Sequence, residues 1–433
     1  MAAKTSDFVE IAKAIPPQSS AFSPKILQFR YESYYATSLM NKNTKIYVAM
    51  SGGVDSSVAA ALLKKQGYYV VGVFFKPWSP NNATSYCSWE QDRLDAMQVA
   101  VRLGIEFKTW DFSKEYGSRV AKYMIEGYRT GITPNPDVMC NKEIKFGLFL
   151  KKALLEGADY IATGHYVRLL ANNESVRINE YTKNKPQKPI SKFVNSRQIR
   201  YSLMMGVDSN KDQSYFLWTL TQEQLKHCLF PIGDYTKPEI RKLAKKFNLS
   251  NYAKKDSQGV CFVGQLDFKK FLTTYIKPKV GSIILLDDNL AQSTRSARSG
   301  RVVGQHDGAY YYTIGQRHGL DIKDGNGPYY VIDKDIKKNL IYITNYSKSI
   351  NKKEGIAKLE KVNWINDKIK IPANCQVKIR YRSKSIPVSI SKLNLETEEF
   401  QVKFKKKFAI AVAPGQSAVF YRGSELLGGG III

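Results

Sequence analysis

The heptad Ser51-Gly-Gly-Val-Asp-Ser-Ser57 puts two glycines, three hydroxyls and a carboxylate on one short turn, a set suited to holding a phosphate. Small residues let an anion approach the backbone, and the first amides of a helix offer N–H groups and a positive dipole end. The heptad is neither GxxxxGK[ST] nor GxGxxG, so the lysine and second-glycine mechanics of those motifs do not apply. An ordinary strand-to-helix turn capped by Ser51 or Asp55 is the alternative. A second reactive stretch is Thr133-Pro-Asn-Pro-Asp-Val-Met-Cys-Asn-Lys-Glu-Ile-Lys-Phe146, in which two prolines fix a non-helical turn and a helix is expected just behind Cys140. A thiol near a helix N-terminus and close to Lys142 has its thiolate favoured, and Asp137 could exchange a proton with it or with a substrate. Cys261 lies in Lys255-Asp-Ser-Gln-Gly-Val-Cys-Phe262, where Gly259 and polar neighbours suggest a mobile loop. Two such thiols suit a reaction that carries sulfur as a persulfide and closes the leftover bond as a disulfide. Spacing alone does not pair them, and a lone cysteine is more often structural.

These residues need elements to position them. From 45 to about 163 the pattern alternates strands near 45–50, 69–75, 105–110 and 159–163 with helices near 54–66, 90–103, 114–127 and 142–156. Such alternation implies a Rossmann-like α/β fold, a parallel sheet with ligands at the carboxyl ends of its strands. The heptad, Phe75-Lys-Pro-Trp78 and Thr163-Gly-His-Tyr166 all fall at that edge. Residues 171–200 read as a polar insertion or flexible hairpin, Lys211–Trp218 is expected to open another helical region, and Ile240, Leu243, Ala244 and Phe247 predict an amphipathic helix after Pro238, with helices dominating to about 250. Beyond 256 the period switches to two, with strands expected at 308–314, 329–332, 377–381, 388–390 and 400–404, and a C-terminal antiparallel barrel follows. Lys378, Arg380, Arg382, Lys384, Lys403, Lys405, Lys406 and Lys407 cluster there, as an RNA-contact face or a merely solvated one. The expected division is a disordered leader over 1–39, a catalytic domain over 40–255, a central α+β domain over 256–350 and the barrel over 355–433.

With 433 residues the chain can bury two or three cores, and a net charge of +28 favours a polyanionic partner such as nucleic acid, the alternative being a generally lysine-rich proteome. Five cysteines without a CxxC pair or signal peptide argue for a reducing compartment. No run of 18 apolar residues exists, which excludes a membrane-spanning helix on pattern. The leader over 1–39 could be a mitochondrial presequence, but Asp7, Glu10 and a single arginine, Arg30, weaken that reading. Met40 offers a compact start on the first strand of a bacterial, cytoplasmic chain. His227, Cys228, Cys375, His306 and His318 read as packing or turn residues, Cys87 is ambiguous, and no spacing suggests a metal site.

SGGVDSS on a strand–helix junction resembles the pyrophosphate loop of the ATP pyrophosphatases, which implies ATP cleaved between the α and β phosphates to adenylate a substrate. With PNPDVMCNKEIKFG, ATGHY, KDQSYFLW, DSQGVCF and YTIGQRHGL in this order, the chain from about residue 45 onward resembles the tRNA-specific 2-thiouridylases. That resemblance implies ATP binding, with Mg²⁺, by Ala49, Met50, Ser51, Gly52, Gly53, Val54, Asp55, Ser56, Phe75 and Gly164. It also implies a nucleophile at Cys140, a persulfide carrier at Cys261 and a Cys140–Cys261 disulfide after turnover. Asn135, Pro136 and Asp137 would face the target base. His165, Lys211, Asp212, Gln213, Arg380, Tyr381 and Gln416 would touch tRNA. Ala49 and Phe75 depart from the family's usual glycine and methionine. The implied activity is 2-thiolation of the wobble uridine of tRNA by a monomer fed by an upstream persulfide donor, a cysteine desulfurase or relay protein. Another tRNA-acting ATP pyrophosphatase, such as lysidine synthetase, is the alternative.

Overall fold

The computed structural model describes residues 43–78, 89–173, 199–256, 268–286, 300–322, 324–345, 355–366, 369–393, 399–405 and 412–433; the leader over 1–39, Cys87 and Cys261 lie outside them. The first part alternates β1 (Lys45–Ala49), α1 (Val54–Lys65), β2 (Tyr69–Lys76), α2 (Trp89–Leu103), β3 (Glu106–Asp111), α3 (Ser113–Tyr116), α4 (Lys122–Arg129), α5 (Pro136–Cys140), α6 (Leu150–Leu155) and β4 (Tyr160–Ala162). Two π-helical segments, Gly117–Ala121 and Asn141–Phe149, join α3 to α4 and α5 to α6. Next come β5 (Val167–Asn173), β6 (Ile199–Met205), α7 (Gln222–Leu225), β7 (Cys228–Leu229) and α8 (Lys237–Lys246).

β1 and β2 are apolar through and through, as strands covered on both faces must be. They centre a five-stranded parallel sheet in the order β3-β2-β1-β4-β7. The order reverses between β1 and β4, so their carboxyl ends open a crevice at the switch point, the usual ligand position of a doubly wound sheet. The expected strands and helices up to 163 are all present. The amphipathic helix expected around Ile240–Phe247 is present as α8, whereas the helical reading of Lys211–Trp218 is corrected: at Ser214–Phe216 the chain makes a 3₁₀ turn instead. The cause is local, because the Asp212 carboxylate accepts the amides of Gly206 (3.2 Å) and Ser214 (3.1 Å) and so competes with a helical ladder.

A four-stranded sheet in the order β10-β11-β8-β9 forms the middle of the chain, after α9 (Phe268–Tyr275), from β8 (Gly281–Leu285), β9 (Arg301–His306), β10 (Tyr330–Asp335) and β11 (Leu340–Thr344). The strand expected over 308–314 is a 3₁₀ turn at Ala309–Tyr311 that follows Gly308, whose φ of +146° breaks the extended run. The last part is a six-stranded antiparallel barrel of β12 (Ile356–Trp364), β13 (Ala373–Lys378), β14 (Ile386–Lys392), β15 (Phe400–Phe404), β16 (Ser417–Arg422) and β17 (Glu425–Ile432), closed by pairing of β12 with β17. Gly428 makes the closure possible: its φ is +154°, and a β-carbon there would meet the Asn363 carbonyl at 2.1 Å. β5 and β6 pair antiparallel, consistent with a hairpin, and β6 then joins β17, with Leu203 opposite Leu426 and Met204 opposite Glu425. A single apolar core therefore runs from Tyr47 and Phe149 under the parallel sheet to Val419 and Tyr421 of the barrel.

Candidate active site

β1 delivers Met50 to the crevice, where its amide still bonds the Val73 carbonyl at 2.8 Å, and the chain then turns sharply. Gly52 takes a φ of +75°, and a β-carbon on it would strike the Asp92 carbonyl at 2.2 Å. Glycine is required there. The N-cap of α1 is Gly53, and no side chain caps the helix, so the first-turn amides face the crevice rather than a serine or carboxylate. Ser51 and Ser56 instead brace the turn: the Ser51 amide donates to Ser56 Oγ at 3.1 Å, and Ser57 Oγ donates to the Gly53 carbonyl at 2.9 Å. Ala49 is half-buried and Val54 is buried behind the turn. Gly164, just after β4, lies against the same helix start, since a β-carbon on it would meet Ser56 N at 2.7 Å.

Asp55, in the first turn of α1, joins an ion-pair chain. Its Oδ1 accepts from the Tyr166 hydroxyl and from Lys237 Nζ, each at 2.7 Å. Lys237 Nζ also reaches Asp256 Oδ1 at 2.6 Å, and Lys211 Nζ reaches Asp256 Oδ2 at 2.5 Å. Burial opposes ionisation of Asp256, but hydrogen bonds from Lys211 and Lys237 outweigh it and hold the carboxyl below its usual range. Burial, and then the neighbouring Asp55 carboxylate, push the Tyr166 hydroxyl strongly up, so it remains a hydrogen-bond donor. The buried Asn251 donates from Nδ2 to the Gly52 carbonyl and to Ser57 Oγ, both at 2.9 Å.

The thiol helix is placed differently from its sequence reading. Asn135 Oδ1 accepts the Val138 amide at 3.2 Å and Pro136 stands in the first turn, so α5 begins four residues before Cys140 rather than behind it. Cys140 closes α5 beyond the turn where the helix dipole is strongest, and it is fully buried near Val138, Ile144 and Phe149. Asp137 is half-buried at the start of α5. Phe75 is buried too, edge-on to Phe112 (5.5 Å) and Phe149 (4.9 Å).

The residues linked by resemblance to tRNA sort into two sets. His165 and Asp212 are buried. Burial, and secondarily the charge of Lys145, hold the His165 imidazole well below 6.5 and therefore neutral; its Nδ1 lies 2.8 Å from Thr163 Oγ1. Gln213 Oε1 accepts the Tyr166 amide at 3.0 Å. Tyr381 packs on Phe216 with ring centres 4.5 Å apart. Arg380 donates to the Ile314 carbonyl at 2.6 Å, and Gln416 Nε2 to the Thr133 carbonyl at 2.9 Å, so both tie the barrel to its neighbours. Arg382, Lys384, Lys403 and Lys405 are the exposed cations of the barrel's basic cluster among the described residues, whereas Lys378 turns inward to Asp212 at 3.3 Å. The packing readings hold for Cys228, whose thiol burial pushes up, and for Cys375, pushed up to about 11 by the same cause.

Phosphate loop and thiol helix meet through Thr163–Tyr166. Tyr166 holds Asp55, while His165 lies against Phe146, one turn and a half past Cys140, with ring centres 5.7 Å apart. Sequence reasoning assigned no role to Lys237, Asn251, Tyr166 or Asp256. Tyr166 and Asp256 sit inside motifs singled out above, but Lys237 and Asn251 carry no motif.

An uncapped helix start at the switch point of a doubly wound sheet, beside partly buried ion pairs, fits an α/β nucleotide-binding protein. Three family models match in succession: a tRNA methyl transferase HUP domain over residues 44–265, a tRNA methyl transferase PRC-barrel domain over 269–345 and an aminomethyltransferase beta-barrel domain over 355–432. The chain is 43% identical over 402 residues to the tRNA-specific 2-thiouridylase MnmA of Buchnera aphidicola, covering 91% of this chain and 98% of the relative. The proteins of that name from Proteus mirabilis (90% and 98% covered) and Geobacillus thermodenitrificans (91% and 96%) are each 42% identical. The chain belongs to the tRNA-specific 2-thiouridylase family.

Proposed function

We propose that this chain is an ATP-dependent tRNA-uridine 2-sulfurtransferase that converts the wobble uridine to 2-thiouridine. The observation that supports the reading is the contact chain through Thr163–Tyr166, in which Tyr166 bonds Asp55 of the uncapped turn and His165 packs on Phe146, six residues past Cys140. The target base leaves its stack to enter the crevice, as bases must when chemistry is done on them. The uracil 2-oxygen attacks the α phosphorus of ATP, and pyrophosphate leaves against the amides of Val54, Asp55 and Ser56. Among the described residues no group of three or more His, Cys, Asp or Glu could hold a metal by itself. Asp55 would hold Mg²⁺ if it is bound, and the ion would supply positive charge to offset the phosphates.

The terminal sulfur of a Cys261 persulfide then attacks C2 of the base, and AMP leaves with the former 2-oxygen. The Cys140 thiolate attacks Cys261 Sγ, which forms a Cys140–Cys261 disulfide and releases 2-thiouridine; a reductant resets the pair. Asn135 keeps its Nδ2 for the base while Oδ1 caps α5, and Asp137 manages the proton. Exposed Arg382, Lys384, Lys403 and Lys405 supply the non-specific attraction to tRNA phosphates. The proposed domain division is a leader over 1–39, a catalytic domain over 40–255, a central domain over 256–350 and the barrel over 355–433, and the proposed setting is a bacterial cytoplasm with a persulfide donor upstream and the chain working as a monomer.

The test is nucleoside mass spectrometry of unmodified tRNA incubated with ATP, Mg²⁺ and a persulfide donor. The intact chain forms 2-thiouridine and one AMP per base. Cys261→Ser and Cys140→Ser lose the thiolated nucleoside while still releasing pyrophosphate. Full 2-thiouridine formation by Cys261→Ser would refute the mechanism, and lysine incorporation instead of sulfur would favour the lysidine alternative.

A further inference from the structure

The turn over Tyr312–Gln316 opens the motif YTIGQRHGL, to which the proposed reaction gives no part. It is stitched to β10: the Gly315 amide donates to the Val331 carbonyl at 2.6 Å, and the Val331 amide to the Gln316 carbonyl at 3.0 Å. Two cations grip it on either side of Thr313. Lys334 Nζ of β10 donates to the Tyr312 carbonyl at 2.5 Å, and Arg380 of the barrel donates to the Ile314 carbonyl at 2.6 Å. Gln316 takes up both backbone groups of Thr313, whose amide donates to Oε1 at 3.0 Å and whose carbonyl accepts the Gln316 amide at 2.9 Å. The remaining polar group of Thr313 is its hydroxyl, which lies 3.2 Å from Thr133 Oγ1 of the catalytic domain.

Thr133 is buried, and each of its three polar groups bonds outside the catalytic domain. Its amide donates to the Pro414 carbonyl at 3.0 Å and its carbonyl accepts from Gln416 Nε2 at 2.9 Å, both in the barrel, while its hydroxyl meets Thr313 of the central domain. The neighbouring backbone is packed as closely. Gly131 takes a φ of +80°, and a β-carbon on it would meet Ile336 Cγ1 at 2.4 Å; a β-carbon on Gly415 would meet Ile132 Cγ2 at 2.0 Å. Three domains therefore converge on Gly131–Pro134, directly before Asn135 and Pro136. Proline fixes φ at Pro134 and Pro136, so the chain from Thr133 to Asp137 has few torsions with which to absorb a shift.

We propose that Thr133 and Thr313 are positioning residues for the target base: their hydroxyl pair passes the placement of the central domain to Asn135 and Asp137. Without the pair the barrel still holds the Thr133 backbone, but its side chain is released from the central domain, and the residues that face the base lose their register with the adenylating site. Phosphate contacts dominate nucleic-acid affinity, so tRNA still docks; what falls is the rate at which a docked base reacts. The inference rests on the roles proposed above for Asn135 and Asp137.

Thr133→Val and Thr313→Val each remove one hydroxyl at nearly constant volume. The two single variants, the double variant and Thr313→Ser are compared with the unsubstituted chain. The readouts are thermal denaturation and the kcat and KM for tRNA of pyrophosphate release, with ATP, Mg²⁺ and a persulfide donor present. Each valine variant is expected to lower kcat about ten-fold, as sub-ångström misplacement of a reacting group does. The KM for tRNA should stay within about two-fold, because the phosphate contacts are untouched. The double variant should lose no more than either single one, since both break the same contact, and Thr313→Ser should recover most of the rate. Losses that multiply in the double variant would mean that the two hydroxyls act separately. A raised KM at unchanged kcat would make them docking groups, and a lowered Tm at unchanged kcat would make the pair a structural contact; each of these results overturns the proposal. An unsubstituted chain that releases no pyrophosphate with tRNA refutes the proposed function itself and this inference with it, so the two failures are distinguishable.

Discussion

Replacing Gly164 by alanine would put a methyl carbon 2.7 Å from Ser56 N, 2.9 Å from the Asp55 carbonyl carbon and 3.0 Å from Ser56 Cα. All three are backbone atoms of the first turn of α1, so no side chain can swing aside to make room. Ordinary contact begins near 3.4 Å, so the loop after β4 and the start of α1 must separate by about 0.7 Å. Overpacking of this kind costs about 1–3 kcal/mol. In a chain of this size that is a fall of about 1–3 °C in Tm. The functional cost is larger, because the atoms displaced carry the amides proposed for pyrophosphate, and misplacement by about 1 Å costs on the order of 100-fold in rate. Thermal denaturation and tRNA-dependent pyrophosphate release measure the two effects. Gly304→Ala is the control, since a β-carbon there meets Ile283 and Ile322 only at 3.6 and 3.7 Å and should be nearly neutral. A Gly164→Ala protein that loses stability but keeps its rate would show that phosphate does not bind at the start of α1. One unchanged in both would refute the steric argument.

Asp212→Ala should cost about 3 kcal/mol in urea denaturation, because it strands the largely buried Lys378 ammonium and unties Gly206 and Ser214 at once; a cost under about 1 kcal/mol would mean that water reaches Lys378 freely. Stability should also depend on acid through His165. The folded state holds this imidazole well below 6.5, so the unfolded chain binds a proton that the folded chain refuses. The resulting stability is fully present above about pH 6.5 and is lost as the pH falls below it. His165→Gln should flatten the loss between about pH 6.5 and 5 in part, since His306 is also held low by burial; an unchanged slope would refute the assignment.

The parallel sheet was readable because Lys45–Ala49 and Tyr69–Lys76 are continuous apolar runs ended by turn residues, each followed by a helix-period stretch. β7 was not, because two residues carry no period. Asn135 shows a signal that was present and outweighed: Asn-Pro-Asp is a helix start, yet the prolines were read as a turn that delays the helix past Cys140. Lys237 had no local signal at all. It lies 182 positions from Asp55, and a lysine in a basic amphipathic helix looks like any solvated charge until the fold brings a carboxylate to it. The basic alternation of the barrel was visible, but not that Lys378 and Arg380 turn inward to Asp212 and Ile314.

The joint between β6 and β17 has a consequence for how the chain comes off the ribosome. Leu203 and Met204 are made more than 200 residues before their ladder partners Leu426 and Glu425. Until then β6 presents an open strand edge, the kind of surface on which nascent chains associate. Loss of even the final ten residues would leave that edge bare and the barrel unclosed, since β17 completes both. β17 thus acts as a completion seal for a strand synthesised more than 200 residues before it.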